Sequence, residues 1–181
     1  ESHDLKLGTV VGLRFAGVKV PYRAEIVRAW ISFTGELDPQ NGDGLNEPCD
    51  LDFTLDPTAT RTGTAVGTAR ASTSDTGLTS AASQVRLKRN ESSPAWSAEH
   101  LPADASGPSV AWDGVPEFAN GHAYNSPELR DLVQTKVDTA GWEPHDAIAI
   151  TVAARRGRRA VASFADAETA PALHIVFRGG R

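Results

Sequence analysis

The chain has no methionine and a single cysteine, Cys49, in 181 residues. One thiol excludes an internal disulfide framework and leaves the redox compartment unread. No apolar run approaches the ~18 residues that a membrane helix requires, so no membrane span is expected. Basic residues are in deficit, 18 Lys and Arg against 23 Asp and Glu, giving a formal charge of −5 and a pI near 5.5. A chain without a basic surplus is poorly suited to displace counterions from a phosphate backbone, which argues against nucleic acid as partner. Having no methionine and starting at Glu1, the sequence reads as a processed or excised piece, and we expect one module, 1–181, of a larger secreted or cell-surface protein.

What is present is enough for one core. A hydrophobic share of 40% with 23% charged residues is that of a globular chain. Val11, Leu13 and Phe15 alternate with Gly12 and Arg14, the period of a half-buried strand. Val27, Ala29, Ile31 and Phe33 alternate with Arg28, Trp30 and Ser32, which sets Trp30 on the face opposite the aliphatic side chains. Two such neighbours joined by a short polar turn are expected to pair. "CDLDFTLD" places Cys49, Leu51, Phe53 and Leu55 on one side and Asp50, Asp52, Thr54 and Asp56 on the other. A row of carboxylates repels itself, so it lies in solvent, faces basic side chains or holds a cation.

Weak strand and loop are expected over 57–83, short strands at "QVRLK" and "SVAWDG", and a long polar connection between them that carries Trp96. One amphipathic helix of about three turns is predicted near 127–138. Asn125 or Ser126 would cap it, Pro127 suits its first turn, Leu129, Leu132, Val133 and Val137 share a face, and Gly141 follows its stop. "AIAITVAAR", "AVASFA" and "PALHIVF" are the last strand candidates, with "RRGRR" a tight turn around Gly157. Many short strands, one helix and no βαβ rhythm give an all-β, antiparallel, jelly-roll-like β-sandwich.

The order "DLKLG", "VGLRFAGVKVPYRAEIVRAWISFTGE", "SPELRDLVQTKVDTAGWEPHDAIAITV" and "RRAVASFADAETAPALHIVF" resembles the DNRLRE-type β-sandwich module of secreted proteins, which is similar to a carbohydrate-binding module family with alginate-binding members. The resemblance covers most of the chain, and its most specific part is the closing pattern. It implies a non-catalytic appendage of polysaccharide-degrading enzymes, adhesins or other extracellular chains. The loop "LDPQNGDGLNEPC" is longer than the usual connection there.

The candidate sites follow from residue chemistry. Glu36, Asp38 and Asp43, joined by Asp166 and Glu168 from a second acidic loop, offer hard oxygen donors of the kind calcium selects; a plain solvated loop is the alternative. Arg155, Arg158 and Arg159 suit an acidic polysaccharide, because guanidinium forks grip carboxylates, with a solvated turn as the alternative. The resemblance favours Arg159. Trp30, Trp96 and Tyr124 are candidates for stacking on sugar rings, whereas Trp142 is expected to pack under the helix end. Asn90 heads an N-glycosylation sequon. No nucleophile elbow or zinc-ligand spacing appears in the sequence, which leaves a glycan-acting hydrolase as a remote rival. The expected function is polysaccharide binding, with a structural or adhesive module of an extracellular assembly, packed on neighbouring domains, as the alternative.

Overall fold

Alternation of apolar and polar side chains becomes strand wherever both faces find a use, and eleven strands and one helix result among the described residues. A computed structural model describes residues 4–7, 10–36, 47–56, 68–72, 80–86, 108–163 and 167–179. In chain order they form β1 (Asp4–Leu7), β2 (Val10–Phe15), β3 (Glu25–Thr34), β4 (Asp50–Asp56), β5 (Thr68–Ser72), β6 (Ser80–Arg86), β7 (Ser109–Trp112), β8 (Ala123–Asn125), α1 (Arg130–Val137), β9 (Ile148–Arg156), β10 (Arg159–Ala162) and β11 (Ala172–Arg178). One sheet runs β5-β6-β11-β3-β8, a second β2-β9-β4-β7, and β1 pairs with β10. Every pairing between strands is antiparallel.

The inner faces meet as the alternation predicts. Ile31, Phe33, Leu173 and Ile175 of one sheet and Leu13, Phe15, Leu51, Phe53, Ile148 and Ile150 of the other are buried in one core. A run of aromatic contacts crosses that core, Phe33 to Phe53 (centroids 6.4 Å apart), Phe53 to Trp112 (6.2 Å), Trp112 to Phe118 (6.0 Å) and Phe118 to Tyr124 (4.2 Å). The architecture is the all-β sandwich that the sequence indicates.

Three local expectations are corrected. First, β2 and β3 do not pair. β2 lies against β9 while β3 lies between β11 and β8 in the other sheet. In a sandwich that alternates between layers, consecutive strands bury more apolar surface by facing each other across the core than as a hairpin. Second, a bulge interrupts β3. The register with β11 shifts between Val176 and Phe177, so that Arg28 pairs with Val176 and Ile26 with Phe177; the extra residue, Val27, is only half-buried and Ile26 turns inward instead.

Third, α1 is two turns long and starts at Arg130. Ser126 does not cap it. Its Oγ accepts from the Ile31 amide at 2.9 Å and donates to the Pro127 carbonyl at 2.8 Å. The segment before the helix instead lines the free edge of β3, with Ser126 N donating to Ile31 O (2.8 Å) and Leu129 N to Ala29 O (2.7 Å). Further along, Gln134 continues that edge, accepting from Ile26 N at 2.8 Å and donating to Ala24 O at 3.1 Å. Backbone groups of β3 must be satisfied before the helix can begin, and these residues are consumed in doing so. The apolar face of Leu129, Leu132, Val133 and Val137 is buried as predicted. Trp142 is buried too, its indole N–H donating to Val20 O at 2.9 Å.

Candidate functional site

The outward face of the five-stranded sheet carries a cluster that no core argument requires. On β3 the residues opposite Ala29 and Ile31 are Arg28, Trp30 and Ser32, and on β11 the residue facing outward beside Trp30 is His174. Their rings stack with centroids 4.9 Å apart and planes within 2° of parallel. Ser32 Oγ lies 2.8 Å from His174 Nε2, which fixes the imidazole in the stack. On the flank of β3 away from β11, the Arg28 guanidinium sits 5.1 Å from the indole centroid. Its Nε donates to Glu128 Oε2 at 3.4 Å. The other oxygen of Glu128 accepts from the amides of Ala29 (2.5 Å) and Arg130 (3.1 Å), so the carboxylate is anchored to the backbone. The backbone register continues the Trp30–His174 row to Gln84 on β6 and Arg70 on β5, a span of about three interstrand spacings, roughly 14 Å.

The basic turn between β9 and β10 has a different character. Gly157 turns it in the left-handed region (φ 64°), close against the Pro48 carbonyl, where a side chain has no room. Arg155 pairs with Asp52 at 2.9 Å and with Asp113, and Arg156 pairs with Asp50 at 2.9 Å. The acidic face of β4 therefore meets basic side chains at Asp50 and Asp52. Asp50 also accepts from the Gly114 amide at 2.8 Å. That hydrogen bond, with the charges of Arg156 and Arg155, holds its carboxyl below the ordinary 3.8.

Arg159, the residue the resemblance favours for ligand contact, is 5% exposed. It donates to four carbonyls, Pro116 (2.7 Å), Glu47 (2.9 Å), Arg158 (2.7 Å) and Val115 (2.6 Å). A guanidinium has five N–H donors, so four of them are spent inside the fold. Arg159 ties the approach to β4 and the segment after β7 to β10. It is placed as a structural clamp and not as an open anion grip.

Tyr124 is likewise used internally. It stacks on Phe118 with ring planes 15° apart, and its hydroxyl accepts from the Ala119 amide at 2.8 Å. It closes the end of the aromatic run. Of the cation candidates, Glu36 lies at the end of β3, its amide donating to Ala160 O at 3.3 Å, and Glu168 lies in the turn before β11. Among the described residues no three His, Cys, Asp or Glu side chains converge on a point that would hold a metal ion. Asp38, Asp43 and Asp166, with Asn90 and Trp96, lie outside the described residues. No described helix is long and apolar enough to cross a membrane.

The fold thus defines an all-β sandwich with a stacked aromatic pair on an outer sheet face. No family model, curated protein or solved structure matches the chain. The sequence had marked Trp30 as outward. It did not mark Arg28, Ser32, His174 or Glu128 as site residues. The parity of "PALHIVF" points His174 away from Leu173 and Ile175, which was a readable signal, but nothing in the sequence shows that β11 lies beside β3.

Proposed function

We propose that the chain is a non-catalytic extracellular module that binds polysaccharide on the outer face of its five-stranded sheet. One observation carries the reading: the parallel Trp30–His174 stack, flanked by Arg28 and Ser32, on a face the core does not need. Sugar rings offer apolar C–H faces to an aromatic ring, and hydroxyls to nearby polar groups. Binding here makes and breaks no covalent bond. The resemblance to DNRLRE-type modules points the same way. The test is retention on affinity gels of neutral and acidic polysaccharides. The parent is expected to be retained and a folded Trp30→Ala variant to elute early; if no polymer delays the parent, the reading fails.

A structural or adhesive role is the rival reading, favoured by Val10. That residue is 45% exposed on β2, which is an edge strand, and open edges pair with other chains. Light scattering that finds only monomer at high concentration would count against it.

A further inference from the structure

Resting on that reading of the Trp30 face, we propose that Arg28 is its specificity-determining residue and selects anionic sugars, whose charge is a uronate carboxylate or a sulfate ester, over neutral ones. Arg28 engages Glu128 through Nε alone. Its two terminal amino groups have no partner among the described residues, and its side chain is 66% exposed. The guanidinium lies over the indole and is held there by Glu128, whose own carboxylate is pinned by the Ala29 and Arg130 amides. The pair of free N–H donors on the terminal nitrogens is the part of the fork that matches a planar oxyanion. A sugar laid against this face would bring its anionic group to those donors without displacing Glu128. The arginine turn offers no comparable opening, since Arg155 and Arg156 already meet Asp50, Asp52 and Asp113, Arg158 is half-buried and Arg159 is buried. Glu128 is on this account a positioning residue.

The experiment compares the parent, Arg28→Gln, Arg28→Lys and Trp30→Ala by affinity electrophoresis in polygalacturonate, dextran sulfate and dextran. Arg28→Gln should bind the anionic polymer roughly 10-fold or more weaker, the worth of one charged hydrogen-bonded contact, a larger loss than any it shows on dextran. Arg28→Lys should recover only part of the loss, because the charge returns without the fork. The two anionic gels separate carboxylate from sulfate as the preferred group. Equal binding of an anionic polymer by parent and Arg28→Gln overturns the proposal, and so does a parent that prefers dextran, which would leave the polysaccharide reading standing. A parent retained on none of the three sinks both.

Discussion

Replacing Arg159 by methionine should destabilise the protein by about 3–5 kcal/mol. A hydrogen bond to a charged group is worth about 1.5–3 kcal/mol net, and Arg159 makes four, at 2.6–2.9 Å. The loss is smaller than four times that value. Glu47 and Pro116 are exposed residues, so water can reach their carbonyls once the guanidinium is gone. The bond to Val115 O is buried, and that carbonyl is left without a donor. For a chain of this length the loss corresponds to a fall in Tm of roughly 6–20 °C, at about 2–4 °C per kcal/mol. The assay is paired thermal and urea unfolding of the parent, Arg159→Met and Arg156→Met. Arg156→Met removes the pair with Asp50, whose carboxylate keeps the Gly114 amide and so is not left without a donor, and should cost clearly less than Arg159→Met. If Arg159→Met falls within about 1 kcal/mol of the parent, or no further than Arg156→Met, the clamp is refuted and Arg159 returns as a candidate for the ligand.

Two further outcomes follow from buried and paired charges. Asp50, held below 3.8 chiefly by the Gly114 amide, contributes stability that is fully present above its ordinary value and is lost as pH falls through its lower folded value. Thermal unfolding from about pH 5 to about pH 2.5 should therefore show a smaller drop in Tm for Asp50→Asn than for the parent, and equal drops would contradict this. Lys136 is 7% exposed and Asp56 4% exposed; burial lowers the Lys136 pKa, while the charges of Asp56 and Asp146 act against that lowering. The folded chain then gives up this proton before the unfolded chain does, and the cost of the buried ammonium is relieved as pH rises toward 10.5. Asp56→Ala and Lys136→Met should each destabilise the protein, because each leaves a buried charge with one opposite charge fewer, and Lys136→Met should also abolish that alkaline gain. Denaturant melts that find either variant as stable as the parent would contradict this coupling.

The strands were legible where alternation was long. Leu13 and Phe15, Ile31 and Phe33, Leu51, Phe53 and Leu55, and Ile148, Ile150 and Val152 all lie where a period of two places them. β8 is three residues long, too short for any period to emerge from "AYN". The helix start was misread because Ser126 has two competing uses, capping a helix and closing the edge of β3, and only the fold decides between them. Strand neighbours were the larger loss. Trp30 meets His174 across most of the chain length, and the Asp50–Arg156 and Asp52–Arg155 pairs depend on β4 lying beside β9 with a register shift between Asp50 and Leu51. Sequence shows which residues face outward. It does not show which strand comes next.

That missing step decides which arginines are open to a ligand. Two basic groups compare directly, the turn after β9 and Arg28 on β3, and side-chain chemistry alone favours the turn because it holds four arginines. The fold reverses the preference. At the turn, Asp50, Asp52 and Asp113 are paired with Arg155 and Arg156, and Arg159 is spent on four backbone carbonyls. An anion approaching Arg155 or Arg156 must compete with carboxylates already in place. At Arg28 a single carboxylate takes one donor, the terminal nitrogens stay open, and the guanidinium lies over the indole. An anionic group there reaches open N–H donors without first breaking an ion pair.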